Sequence, residues 1–472
     1  VAGGALAPLG YARVRKGVPA KLSQAMRGHV FYKGQPGYGS ARLLYNTVFD
    51  FIHPQAVARP ISAKDVAAAV NWCVAKGVPL RARSGGHSYQ GYSSVSNGVM
   101  LDLRKLRGIS VNKRGRYATV GAGCQLIDIY RALAAQGVTV PAGSCPSVGV
   151  SGVTLGGGMG LAARNFGMTT DNVLGAQIVT ADGRIRQVNG RSGSDLYWAL
   201  RGGGGGNFGV VTQFTFRIHP IPRTATYFNV TFPWSQASTA IEAWQAWAPH
   251  TTQRITSILH VNGGNAPSIN ANGQFFGSPG QLHGFIGALL SVPGAQLSTN
   301  ISLGYFPLQM LLAGCSQISY TACHTVGSSS GGTLPREQFR AGSDYVSKPL
   351  SAAGRRAVVQ AAEAAGSAGG DLLFDSYGGA INRVHPNATA FVHRNQLFCI
   401  QYFTSSRSMS WVNRARAMMH PYVSGQAYQN YIDRNLKNWQ HAYYGSNYKR
   451  LQQIRKKYDP HHFFNFPQAI GR

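Results

Sequence analysis

Arg83-Ser-Gly-Gly-His-Ser-Tyr-Gln-Gly-Tyr-Ser-Ser94 sets a histidine, His87, on a glycine turn directly after an apolar segment, with hydroxyl and aromatic side chains following. The residues upstream predict how the turn is reached. Ser62-Ala-Lys-Asp65 reads as a capping box opening a helix through Val66, Val70 and Val74 that stops at Gly77. Val78 to Ala82 reads as the strand that feeds the Gly85-Gly86 turn. Downstream, strands are predicted at Val99–Asp102 and Tyr117–Val120, and a helix at Gln125–Gln136 ending at Gly137. Val138–Val140 then leads into a second glycine-rich stretch, Gly143-Ser-Cys-Pro-Ser-Val-Gly149, which continues to Gly160 and holds Cys145. Alternating short strands and helices of this kind suggest an α+β or α/β domain built to hold a ligand.

Backbone N–H groups can approach a phosphate closely only where no Cβ intervenes. Ser84–Gly86, Leu155–Gly158 and the five consecutive glycines Gly202–Gly206 are therefore candidate cradles. Gly204-x-Gly206-x-x-Gly209 matches the dinucleotide fingerprint literally, but no helix is predicted after it. Asn229 also stands where the ribose-binding acid belongs, which argues against a nicotinamide Rossmann domain. His, Cys, Asp and Glu do not cluster at metal-ligand spacing, and His461-His462 is an isolated pair, so no metal is expected. No Gly-x-Ser-x-Gly elbow falls on a predicted strand-to-helix turn, which argues against a Ser-His-Asp hydrolase. Taken alone, His87 reads as a turn histidine satisfied by backbone rather than as a functional group.

The chain has 472 residues, 44 % apolar, which predicts two to three globular domains, and no apolar run reaches membrane-span length. Val1–Leu9 reads as the start of a mature exported chain, secreted or periplasmic. The charge of 45 basic against 15 acidic residues, +30, favours salt-dependent adsorption to polyanions. The densest basic clusters, Arg13-Val-Arg-Lys16 and Arg455-Lys-Lys457, lack interleaved aromatics, so specific nucleic-acid binding is not expected. Of six cysteines, Cys315 and Cys323 bracket a short polar segment and are the disulfide candidates. Asn229-Val-Thr231, Asn300-Ile-Ser302 and Asn387-Ala-Thr389 match the N-glycosylation pattern. Residues 1–58 read as a mostly irregular lead-in. Residues 223–424 read as a second α+β domain, with strands such as Tyr227–Phe232 and Phe398–Phe403 and helices such as Ala237–Trp247 and Gly354–Ala365. From Tyr428 the pattern changes again, to a Lys- and Arg-rich helix and the tail Phe463-Phe-Asn-Phe-Pro467.

Arg83-Ser-Gly-Gly-His87-Ser, Gly143-Ser-Cys145-Pro-Ser-Val-Gly149, Tyr428-Gln-Asn-Tyr431-Ile-Asp433 and Phe464-Asn-Phe-Pro-Gln468 together resemble the berberine bridge enzyme-like oxidases. These belong to the vanillyl-alcohol oxidase/p-cresol methylhydroxylase flavoprotein superfamily. The resemblance covers roughly residues 40–222 and 425–472 and is weak between them. It implies a two-domain α+β flavoprotein. The FAD domain would be built from 1–222 and 425–472, and the substrate domain from 223–424, an antiparallel sheet covered by helices. It further implies FAD attached through His87 to the 8α carbon and through Cys145 to C6. Arg83, Ser84, Gly85, Gly86, Ser88, Gly143, Val148, Gly149, Gly152, Gly156, Gly157 and Asn465 would surround the cofactor.

By the same resemblance Tyr431 is the catalytic base, and Asp375 is its acidic partner. Tyr89, Gln401 and Tyr428 would contact substrate. A phenol is a poor base at neutral pH, so its proton affinity must be lowered by cations or relieved by a carboxylate that takes up the proton. Val148 matches a position lining the oxygen approach, which implies an oxidase making hydrogen peroxide. The expected substrate is a bulky alcohol, a carbohydrate or oligosaccharide first, with an aromatic, polyketide or alkaloid metabolite as the alternative. Leu373 departs from the polar residue expected for sugar binding. A non-catalytic, polyanion-binding protein on a flavin fold is the reading from a different class.

Overall fold

In the computed structural model, which describes residues 18–471, the helix after Ser62 runs Ala63–Lys76 and ends at Gly77 in the left-handed region. Ser62 Oγ accepts from Asp65 N at 3.2 Å. Asp65 does not return that bond. Its carboxylate accepts instead from Arg27 N, Gly28 N and Ile61 N, so the expected reciprocal box becomes a tie to the preceding segment. Val66, Ala69, Val70 and Cys73 form the buried face of this helix, packed with Val30, Leu80 and Leu101.

That helix covers a four-stranded sheet ordered His29–Tyr32, Ala56–Arg59, Val99–Asp102, Leu80–Arg83, in which the two pairings involving Val99–Asp102 are parallel. Two of its strands come from the segment read as an irregular lead-in. Four-residue strands offer too few alternations to stand out among the Tyr and Gly residues around them. Residues 1–17, which include Val1–Leu9 and the Arg13–Lys16 cluster, lie outside the described residues.

A second sheet of five antiparallel strands follows, ordered Ile109–Asn112, Tyr117–Gly121, Val210–Arg217, Val173–Val179, Ile185–Asn189. Its last two strands form a hairpin across Ala181-Asp-Gly183, and the Asp-Gly pair is a local turn signal readable from sequence. The third sheet has seven antiparallel strands, from Gln296–Gly304 at one edge through Thr224–Phe232, Ser268–Phe275, Ile255–Asn262, Asp371–Ser376 and Phe398–Thr404 to Arg340–Val346. One face of it, with Leu259, Val261, Leu372, Phe374 and Ile400, is buried under the helices Ala237–Trp247, Ala352–Glu363 and Ser410–Met419. The result is a two-domain α+β architecture. A disulfide joins Cys315 to Cys323.

Buried arginines bolt these parts together. Arg164, on the short helix Ala163–Phe166, is 1 % exposed and donates to five backbone carbonyls, those of Tyr377, Pro249, Thr251, Thr252 and Ile255. Arg455, in the basic cluster Arg455-Lys-Lys457, is likewise buried, donating to Phe464 O and Ile470 O to fix the C-terminal tail. Phe463 and Phe464 then pack into the core of the first sheet.

Candidate active site

The histidine and cysteine loops lie backbone against backbone. A Cβ on Gly85 would sit 2.2 Å from Gly149 N, and one on Gly149 would sit 2.0 Å from Gly85 N. These two glycines are required by the mutual approach of the loops. Ser84 Oγ and Ser151 Oγ both donate to Ala122 O, at 2.6 and 2.8 Å. The first turn of the helix Leu126–Ala134 holds the cysteine loop from behind, with Leu126 N donating to Val148 O and Ile127 N to Pro146 O. His87 Nε2 meets Ser147 Oγ at 2.9 Å. Burial pulls the imidazole down to about 3, outweighing the bond to Ser147, so the ring is neutral at physiological pH. The Cys145 thiol is accessible from a cavity walled by protein, and that desolvation, with the Glu337 carboxylate nearby, pushes it up to about 11.

Both side chains open on one cavity of about 380 Å³, which runs from Leu80–Ala82 past the two loops to Asp375 and Tyr431. Tyr431 O–H donates to Asp375 Oδ2 at 3.2 Å. Asp375 is 6 % exposed, and burial raises its carboxyl to about 6. Tyr431 is not acidified, contrary to one of the two expected routes. Burial and then the Asp375 carboxylate push its phenol well above its ordinary value. Tyr89 stacks on Tyr431 with centroids 5.4 Å apart, and Gln401 Nε2 donates to Tyr89 O–H at 2.6 Å.

The segment carrying Tyr431 is fixed on several sides. Tyr428 O–H accepts from Gly158 N and Met159 N at 2.7 and 3.1 Å, Asn430 Nδ2 donates to Val153 O, and Gln90 Nε2 donates to Ile432 O. Arg416 pairs with Asp433 at 2.9 Å. The Tyr428 hydroxyl is thus committed to the glycine loop, although its ring lines the cavity.

Other expected cofactor contacts divide in the same way. Ser84, Gly85, Gly86, Ser88, Gly143, Val148, Gly149 and Gly152 line the cavity. Arg83, Gly156, Gly157 and Asn465 are not among its lining residues. Arg83 is 2 % exposed, pairs with Asp102 at 2.6 Å and donates to Ala41 O and Leu43 O. Asp102 also holds Arg59 and Arg104. Gly156 and Gly157 give way instead to the returning segment: a Cβ on Gly156 would collide with Gln429 and Asn430, and one on Gly157 would crowd Phe391 and Tyr428. Asn465 sits between Phe464 and Phe466, and it is these flanking rings that line the cavity.

The donors present fit a flavin dinucleotide. At Gly152 a Cβ would meet nothing within 4 Å, and at Gly205 only Leu155 Cδ1 at 4.0 Å, so packing does not require either glycine. Both line the cavity, where the missing side chains open the backbone to a ligand. Gln429 Oε1, buried and also on the cavity, has no protein partner. Gly205 and Gly206 of the five-glycine candidate cradle line the cavity, as does Gln429, and Ser147 joins the site through His87. Ser147 and Gln429 lie inside the motif stretches but were not singled out there. Among the described residues no group of three or more His, Cys, Asp or Glu could hold a metal ion.

Comparison with known proteins agrees with this geometry. A family model described as an FAD binding domain matches residues 54–189, and one described as "Berberine and berberine like" matches residues 427–471. An FAD-linked oxidoreductase of Bacillus subtilis (strain 168), YvdP, is 35 % identical over 95 % of this chain and 99 % of its own length. Monolignol oxidoreductase AtBBE-like 13 of Arabidopsis thaliana is 31 % identical over 88 % of this chain and 84 % of its own. The solved structure of Physcomitrella patens BBE-like 1 superposes with a TM-score of 0.88 at 33 % identity, covering 95 % of this chain and 99 % of that one. A chitooligosaccharide oxidase superposes at 0.86 with 26 % identity, covering 95 % and 98 %. With its cofactor loops, its Tyr431 segment and relatives aligned over nearly the whole length, the chain belongs to the berberine bridge enzyme-like family of FAD-linked oxidoreductases.

Proposed function

We propose that the protein is an oxidase of alcohol carbons whose FAD is attached twice, through His87 at 8α and Cys145 at C6. The observation that carries this is the shared cavity: His87 and Cys145 open on the same space as the Tyr431–Asp375 pair. A flavin held there by His87 and Cys145 would supply a hydride acceptor at N5, with molecular oxygen as the final electron acceptor and hydrogen peroxide as product. Ser147 engages His87 Nε2, which leaves Nδ1 as the nitrogen for the linkage. Val148, on the cavity wall beside Cys145, supports access for oxygen.

Tyr431 takes the substrate hydroxyl proton while passing its own to Asp375, so the phenol need never exist as a free phenolate. Asp375, raised only to about 6, is ionised at neutral pH and ready to accept. Gln401 fixes the Tyr89 hydroxyl, and the stacked Tyr89 ring keeps Tyr431 from turning away from Asp375.

A carbohydrate or oligosaccharide is the first-choice substrate. Side chains two apart on a strand share a face, so Asp375, Leu373 and Asp371 lead outward from the reacting end over roughly 14 Å. His260 pairs with Leu373, and Asn262 with Asp371, in the neighbouring strand. The His260 ring lies 3.2 Å from Asp371. This polar row supports a long hydroxylated substrate. The apolar Ile258 and Leu373 on the cavity wall favour a second reading, an aromatic alcohol. The +30 charge supports additional salt-sensitive adsorption to polyanions, and the Cys315–Cys323 disulfide supports an exported protein.

A peroxide screen across sugars, oligosaccharides and phenolic alcohols tests the reading. Peroxide should appear with an oligosaccharide at lower concentration than with its monomer. No peroxide with any alcohol would overturn the oxidase assignment, and peroxide from phenolic alcohols alone would select the second reading.

A further inference from the structure

The histidine turn is gripped from behind by a segment between the disulfide and the edge strand Arg340–Val346. Arg336 Nε donates to Leu44 O at 2.6 Å, and its guanidinium pairs with Asp50. Thr47 N donates to Glu337 O at 2.8 Å. Asn46 and Phe339 exchange bonds, Nδ2 to O at 2.9 Å and N to Oδ1 at 3.4 Å. Inside this grip Tyr45 N donates to Gly86 O at 3.2 Å. The Tyr45 ring lies flat on the His87 imidazole, with 3.8 Å between centroids and 18° between planes. Phe339 has its ring 6.5 Å from Tyr45 and 5.0 Å from Tyr89, and the Glu337 carboxylate acts on the Tyr45 phenol.

We propose that Tyr45 is a positioning residue for the cofactor linkage: its ring, held by Arg336–Phe339, keeps the His87 imidazole in the plane that its bond to the flavin requires. The inference rests on the attachment through His87 proposed above. Ser147 meets the imidazole at Nε2, an edge contact that does not by itself fix the ring plane unless a face is also covered. Tyr45 covers that face. In the attachment the histidine nitrogen loses its N–H proton and the 8α carbon loses one proton as the C–N bond forms. The two electrons released pass to molecular oxygen, which takes up both protons and becomes hydrogen peroxide. A misplacement of about 1 Å slows a step of this kind on the order of 10²-fold.

The test compares full-length wild type, Tyr45→Leu and Tyr45→Phe by proteolysis and mass measurement of flavin on the His87 and Cys145 peptides. Wild type should carry flavin on both. Tyr45→Leu should lose His87-linked flavin on the order of tenfold while keeping the Cys145 linkage, which also reports a folded, flavin-loaded protein. Tyr45→Phe, which keeps the ring, should restore the His87 linkage. Full His87 linkage in Tyr45→Leu would overturn the proposal. So would loss of both linkages together, because Tyr45 would then serve flavin docking or folding in general. Wild type without flavin on the His87 peptide would overturn the attachment reading itself, and the inference with it.

Discussion

Asp375→Asn separates the cost of the buried carboxylate from its use. Burial raises Asp375 from 3.8 to about 6, so holding it ionised costs roughly 3 kcal/mol, at about 1.4 kcal/mol per pKa unit. Asparagine removes that charge and keeps an oxygen to accept from Tyr431. Because the folded-state pKa is raised, the folded protein binds more protons than the unfolded chain between those two values. Wild-type stability therefore falls as pH rises through that window, and the penalty is complete above about 6. The variant should be more stable by up to about 3 kcal/mol near neutral pH, and the advantage should vanish below about pH 4. Chemical denaturation at the two pH values reads this. Its anaerobic flavin reduction by substrate should slow on the order of 10²- to 10⁴-fold. The wild-type reduction rate should itself fall as pH drops through about 6. Reduction at the wild-type rate in the variant would refute Asp375 as proton acceptor. Equal or lower stability near neutral pH would refute the burial cost.

Four further outcomes follow from the same geometry. Asp102→Asn strands the buried Arg83 and should cost about 3–5 kcal/mol by denaturation. Burial opposes its charge, but Arg83, Arg104 and Arg59 prevail and hold Asp102 at about 2, so its contribution should be present above about pH 4 and fade as pH falls through about 2. Arg164→Met removes the guanidinium donor shared by five carbonyls and should lower the denaturation midpoint by more than any exposed arginine substitution. His324 faces Asp128 at one ring nitrogen and two carbonyls at the other, and although burial opposes the charge, Asp128 prevails and raises its pKa. Its clamp on the disulfide loop should hold at low pH and loosen as pH rises above about 6.5, seen as faster proteolysis within residues 315–334, and His324→Ala should abolish that pH dependence. Gly85→Ala drives a Cβ into Gly149 N and should abolish flavin retention, read as loss of colour from the purified protein.

The two loops that carry His87 and Cys145 were legible because their signals are local. Glycines flank a reactive side chain within a few residues of a predicted strand. The hairpin at Ala181–Gly183 and the Cys315–Cys323 pair were legible for the same reason, since each closes a short stretch of chain. What stayed hidden depends on partners distant in sequence. Arg83 looks like part of the cofactor motif until Asp102 is seen to share it with two other arginines. Gly156 and Gly157 look like a phosphate cradle until Tyr428–Asn430 fills the space beside them. Arg164 gives no signal at all, because its five acceptors are carbonyls and any sequence could supply them. Tyr45 was equally silent, lying in a stretch whose short strands lack periodicity.

One measurement bears most directly on the whole account: the mass of proteolytic fragments from denatured, wild-type protein. A single flavin joining the peptide that contains His87 to the peptide that contains Cys145 is the predicted result. Release of all flavin on acid denaturation, with both peptides at their unmodified masses, would contradict it.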